Sequence, residues 1–179
     1  ITKFNSTLWI HKMLKINQIK IGIIGLGYVG LPLAVEFSKK FRVTGYDKSN
    51  IRIKELKNFI DTTNEVKKNE LKAAKNLSLT NQIQGIKNCN FIIVTVPTPI
   101  NNKNKPDLKY LLQASKDIGK SIKKKCIIVY ESTVYPGTTE EICIPIIEKY
   151  SKMKINKDFF VGYSPERINP GDGKHTIKN

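Results

Sequence analysis

The chain has 179 residues, with 31 Lys and Arg against 15 Asp and Glu and a formal net charge of +16. That length suits one domain with room for part of a second, and 40% hydrophobic with 26% charged residues excludes disordered and fibrous classes. No apolar run reaches the ~18 residues of a membrane-spanning helix, and three cysteines, Cys89, Cys126 and Cys143, all in apolar segments, form neither a disulfide framework nor a CxxC metal pair.

Residues 1–19 contain no acidic side chain and show no period, secretory h-region or cleavage site, so they read as an irregular extension. Both ends read as cut: the first residue is Ile1, Met13 is a candidate start, and Asn179 follows soon after a motif-like loop. From Lys20 the pattern alternates. Lys20–Gly25 is an apolar strand, and Tyr28–Lys40 has helical spacing at Val29, Leu33 and Phe37. Phe41–Asp47 is a second strand. Ser49 caps a helix to about Asn58, with Ile53, Leu56 and Ile60 near one face. Residues 61–75 are polar and helical in part, and Leu77–Thr80 is a weak third strand. Phe91–Val96 (FIIVTV) is a strong fourth strand whose apolar run is what a strand buried on both faces requires. A Pro- and Asn-rich loop, Pro97–Pro106, precedes an amphipathic helix marked by Leu108, Leu111, Leu112, Ser115, Ile118 and Ile122, which Lys123–Lys125 should close. Cys126–Tyr130 is a fifth strand. Thr138 and Glu141 suggest a capping box for a helix to about Tyr150, and Phe159–Tyr163 is a sixth strand. Residues 20–179 therefore predict an α/β fold, a doubly wound parallel sheet ordered 3-2-1-4-5-6. Ligands of such folds bind beyond the carboxyl ends of the strands, and the motifs cluster there.

The first is GLGYVG. Gly25 permits a tight turn, Gly27 lets the backbone approach a pyrophosphate, and Gly30 lets helix and strand pack closely. The amides near Tyr28 and Val29 sit at a helix N-terminus, where the dipole favours anions. Asp47 follows Gly25 by 22 residues, where a carboxylate accepts both ribose hydroxyls and repels a 2′-phosphate, favouring NAD over NADP. By residue type Arg52 is a solvated helix arginine, although it lies close enough to reach the adenosine end. In Thr95–Pro99 two prolines stop the strand, and Thr98 is either a hydroxyl at the cleft or an ordinary terminator. Ser132 and Thr133 in Glu131–Gly137 either line the cleft floor or satisfy a strand end. Glu166 and Arg167, between Pro165 and Pro170, suit an anionic substrate or form a surface ion pair. The cysteines read as small core residues. His11 and His175 lack zinc-ligand spacing, so no metal is expected.

The basic balance admits nucleic acid, an anionic membrane or a phosphorylated small molecule as partner. The lysines are dispersed, which favours general lysine-rich usage, and the expectation is no nucleic acid and no membrane. Cysteine usage suits a reducing, cytoplasmic setting.

Together GLGYVGLP, GYD, VPTP, ESTVYPGTT and YSPERINPGD resemble the N-terminal domain of the UDP-glucose/GDP-mannose dehydrogenase family, from about Lys20 onward. The last motif is most similar to the branch acting on UDP-N-acetylglucosamine and UDP-N-acetylgalactosamine. UDP-glucose dehydrogenases carry Phe-Leu and a second glutamate after the shared Pro-Glu, where this chain has Arg167-Ile168 and Pro170. The resemblance implies oxidation of a sugar C6 alcohol to a carboxylate in two NAD-dependent steps, for surface polysaccharide synthesis, by an enzyme that dimerises when full length. It implies NAD contacts from Tyr28, Val29, Asp47, Arg52, Thr98 and Thr133, acid–base assistance from Glu166, and nucleotide-sugar contacts from Arg167 and Ile168. The family's nucleophilic cysteine lies in a glycine-rich motif absent from these 179 residues, so the chain is expected to bind NAD without turnover. Two other readings stay open: a hydroxyacid or 6-phosphogluconate-type dehydrogenase, and a non-catalytic nucleotide-binding module.

Overall fold

A computed structural model describes residues 16–100 and 105–164. After a 3-10 turn at Ile16–Gln18, the chain runs β1 (Lys20–Ile24), α1 (Gly30–Ser38), β2 (Arg42–Tyr46), α2 (Asn50–Lys57), α3 (Lys68–Ala73), β3 (Leu77–Thr80), a 3-10 segment (Ile83–Asn88), β4 (Phe91–Val94), α4 (Lys109–Ser121), β5 (Cys126–Tyr130), a π-helical segment (Thr138–Cys143), α5 (Ile144–Ser151) and β6 (Phe159–Tyr163). The strands form one sheet in the order β3-β2-β1-β4-β5-β6, every pair parallel. This is the doubly wound order expected from the strand–helix alternation.

Successive strand residues face opposite sides, and β1 buries Ile21 through Ile24 because both sides are covered. On one side Ile21, Ile23, Val43 and Ile93 pack with Leu31, Ala34 and Val35 of α1 and Ile53 and Leu56 of α2. On the other, Ile24, Ile92, Val94 and Ile128 pack with Leu111, Ala114 and Ile118 of α4 and Ile147 of α5. Tyr130 lies in this second core and its hydroxyl meets Ser115 Oγ at 2.6 Å, so neither buried polar group is left unsatisfied. Cys89, Cys126 and Cys143 are buried and unpaired, in agreement with their reading as core residues.

Several boundaries move for local reasons. The first helix begins at Gly30, since Tyr28 and Val29 belong to the preceding turn. Ser49 caps α2 as expected, accepting from the Arg52 amide at 3.2 Å. Ile60 does not share its buried face: the left-handed Phe59 (φ 59°) follows the helix end, and Ile60 is exposed. Leu112 likewise sits at the margin of the α4 stripe, outside the core. The capping box at Thr138 and Glu141 does not form. Gly137 precedes the π-helical segment with no side-chain cap, and the buried Thr138 hydroxyl donates instead to Tyr135 O at 2.7 Å. Lys123–Lys125 do not close α4, which ends at Ser121. They form the turn into β5, where Lys123 donates to Asn88 Oδ1 at 2.8 Å and Lys124 pairs with Asp158 at 3.1 Å. No described helix is long and apolar enough to cross a membrane.

Candidate dinucleotide site

β1 and β4 are neighbours whose following connections leave to opposite sides of the sheet, which opens a crevice at their carboxyl ends. A cleft of about 760 Å³ occupies it. The turn after β1 forms one wall. Gly25 has φ +94°, a conformation open to glycine and strained for side chains, and its amide donates to Tyr46 O at 2.9 Å. Thr95 Oγ1 donates into the same turn, 2.8 Å from Gly25 O and 3.1 Å from Ile24 O. A Cβ on Gly30 would fall 1.8 Å from Gly25 O, so the close helix–strand approach expected there is present. A Cβ on Gly27 would meet no heavy atom within 4 Å; that position faces open cleft.

The first amide to donate back into the turn is that of Leu31, 3.2 Å from Gly27 O. Those of Tyr28, Val29 and Gly30 precede it at the helix N-terminus, where an α-helix leaves its donors without intrahelical partners. The first turn carries no acidic side chain, so nothing in it opposes an anion drawn by the helix dipole.

Asp47 lies at the end of β2 on the cleft wall. Its Oδ2 accepts from Leu26 N at 2.9 Å and its Oδ1 from Ser49 N at 2.8 Å. Each carboxylate oxygen retains further acceptor capacity. Thr98 and Thr133 line the opposite wall with Val96 and Pro97. Two bonds stitch their loops together: Thr98 Oγ1 donates to Thr133 O at 2.6 Å, and Ser132 Oγ to Val96 O at 2.6 Å. Ser132 thus satisfies a strand end, whereas Thr133 is exposed at the cleft.

Arg52 is not a solvated helix arginine. It is 9% exposed and lies behind the turn, outside the cleft lining. Its Nε donates to Leu26 O at 2.8 Å, Nη2 to Asp61 Oδ1 at 2.7 Å and Nη1 to Thr62 Oγ1 at 3.1 Å. Glu166, Arg167 and Ile168 lie outside the described residues, as do His11 and His175.

The sequence reading missed Tyr46 and the polar row of α4. Lys109, Gln113 and Asp117 recur every fourth residue and face the cleft, with Tyr110 beside them. That i, i+4, i+8 spacing was visible as the polar counterpart of the apolar stripe. Gln113 Nε2 donates to Asp117 Oδ1 at 2.8 Å. Burial first, then the Asp117 and Asp47 carboxylates, push the Tyr46 hydroxyl's pKa up, so it stays protonated and able to donate.

A parallel sheet of this order, with a glycine turn and an acidic strand end at its switch point, defines a Rossmann-type dinucleotide-binding domain. The sequence profile of the UDP-glucose/GDP-mannose dehydrogenase family, NAD binding domain, matches residues 19–179, and the chain belongs to that family. It is 56% identical over 167 residues to UDP-N-acetyl-D-glucosamine 6-dehydrogenase of Salmonella typhi, covering 93% of this chain and 39% of that protein. It is 58% identical over 158 residues to Protein CapL of Staphylococcus aureus, covering 88% and 37%. Among solved structures, UDP-D-ManNAc dehydrogenase from Pyrococcus horikoshii superposes with a TM-score of 0.77 at 31% identity, covering 86% and 37%. A ternary complex of GDP-mannose dehydrogenase from Pseudomonas aeruginosa gives 0.77 at 30%, covering 84% and 36%. The chain thus spans roughly two fifths of the curated relatives, 39% and 37%. The residues present fit the family's NAD: the open position at Gly27 admits a pyrophosphate, and the Asp47 carboxylate stands where ribose hydroxyls are read.

Proposed function

We propose that the chain is the cofactor domain of an enzyme that oxidises the C6 alcohol of a UDP-N-acetylhexosamine to a carboxylate in two NAD-dependent steps, for surface polysaccharide synthesis. The observation that carries this reading is 56% identity, across 93% of the chain, to a UDP-N-acetyl-D-glucosamine 6-dehydrogenase. Bound NAD supplies the hydride acceptor. The chain's own residues bind and orient it: the amides of Tyr28 and Val29 receive the pyrophosphate, Asp47 takes the adenosine ribose, and Thr98 and Thr133 border the nicotinamide end. Glu166 assists proton transfer, and Arg167 and Ile168 touch the sugar nucleotide. The protein works in the cytoplasm, as a homodimer, without nucleic acid or membrane as partner.

These 179 residues supply no reactive thiolate, because burial raises the pKa of all three cysteines and a useful nucleophile needs a lowered one. The chain alone should therefore give no NADH with UDP-N-acetylglucosamine or UDP-N-acetylgalactosamine. An enzyme carrying it as cofactor domain should give two NADH per UDP-N-acetylhexosamine, followed by absorbance, and far less with UDP-glucose. Preference for UDP-glucose, or steady turnover by these residues lost on mutating one of their cysteines, contradicts the reading.

A further inference from the structure

Asp61 is a buried carboxylate that touches nothing in the cleft. It follows α2 with its side chain 1% exposed, and four of its hydrogen bonds hold its own turn: from Thr63 N at 3.0 Å, Thr63 Oγ1 at 2.7 Å, Glu65 N at 3.0 Å and Val66 N at 2.9 Å. A fifth comes from Arg52 Nη2 at 2.7 Å. These bonds hold the carboxyl below its usual range although burial alone would raise it. A charged pair this dry is costly unless its geometry is satisfied throughout, and here it is.

The fixed guanidinium extends its Nε to Leu26 O at 2.8 Å, while Asp47 Oδ2 holds Leu26 N at 2.9 Å. Leu26 is thus gripped at both backbone groups by side chains 21 and 26 residues away. Its carbonyl shares a peptide plane with the Gly27 N–H. In a trans peptide the two point in opposite directions, and the described chain has no cis bond. A pull on Leu26 O therefore sets the direction of the Gly27 amide, at the position that lines the cleft. We propose that Asp61, acting through Arg52 and the Leu26 carbonyl, is a positioning residue that aims the Gly27 amide at the cofactor's pyrophosphate. Arg52 then serves the cofactor from behind the turn, without touching the adenosine.

This rests on the reading that the cleft takes NAD, and the test separates the two. The chain is titrated with NAD, ADP-ribose and adenosine, by calorimetry for the first two and NMR for the third, as unmodified protein and as Asp61→Asn, Arg52→Lys and the double variant, well below each unfolding midpoint. Loss of a well-placed charge-assisted bond predicts a roughly tenfold weaker NAD and ADP-ribose affinity in each single variant. Adenosine, which has no phosphate, should bind as before. The double variant should be little worse than either single one, because the residues act in series. Should Asp61→Asn fail to fold, Arg52→Lys carries the test, since it keeps Asp61 and its own turn. Unchanged NAD affinity, or adenosine weakened in proportion to NAD, overturns the proposal. Failure of the unmodified chain to bind NAD overturns the reading of the cleft instead.

Discussion

Asp47 holds the turn with one carboxylate and is proposed to read the adenosine ribose with the same group. It anchors the Leu26 and Ser49 amides and has lone pairs left for ribose hydroxyls. Removing it should take away the proposed ribose bonds and loosen the turn proposed to present the pyrophosphate site. Asp47→Ala is expected to cost roughly 2–4 kcal/mol of NAD binding and to lower the unfolding midpoint as well. Calorimetry and thermal melts check both, and NADP bound by the unmodified chain as tightly as NAD would refute the assigned role. The buried thiols act on stability instead. Burial, aided by neighbouring Cys89, pushes Cys126 from 9.0 up to about 12. The folded form keeps this proton while the unfolded form loses it, so the contribution is complete below pH 9 and is lost as pH rises toward 12. The slope is about 1.4 kcal/mol per pH unit in that window. Urea unfolding at pH 8 and pH 10 should show a steeper loss for the parent than for Cys126→Ala; equal losses would disprove it. Gly25, Gly30 and Asp47 were legible because their constraints are local or set by a fixed spacing. The burial of Arg52 was not, because it depends on Asp61 and on a carbonyl 26 residues back.

Among the elements, β3, β5 and β6 have the bounds read from sequence, since an apolar–polar alternation, as in β3, or a largely apolar run between polar residues, as in β5 and β6, defines a strand from within. Helix ends turned on local backbone detail: the Ser49 cap formed as read, and others did not. The Thr138–Glu141 pattern has the letters of a capping box, yet Gly137 takes the cap position, the Glu141 amide donates to Gly137 O at 2.8 Å, and the threonine hydroxyl donates to Tyr135 O. The junction of β1 and α1 offers a sharper contrast. Gly30→Ala places a methyl 1.8 Å from a backbone oxygen. The helix must shift, at a cost of about 1–3 kcal/mol or more, and NAD affinity should fall with stability. Gly27→Val meets open space in the unliganded protein, so the melting midpoint should hold while NAD binding disappears. Circular dichroism melts paired with calorimetry separate the two, and equal destabilisation by both variants would contradict this account of the turn.

For the molecule as a whole, six parallel strands in the 3-2-1-4-5-6 order place every strand's carboxyl end on one side. The GLGYVG, GYD, VPTP and ESTV segments then meet in one cleft, though they are spread over more than 100 residues of sequence. That convergence was legible once the alternation of strand and helix was recognised. The α4 row of Lys109, Gln113 and Asp117 was not, because a polar helix face reads the same whether it meets water or a ligand. NAD is expected to lie across this switch point with its pyrophosphate on the glycine turn. The most direct measurement is a titration of the isotope-labelled chain with NAD, following its amide resonances. NAD bound in this way should give saturable shifts concentrated at Gly27, Tyr28 and Val29, with smaller ones at Asp47, Thr98 and Thr133, all absent in Gly27→Val. Shifts confined to other surfaces, such as the amino ends of the strands, or no shift at millimolar NAD, would contradict it.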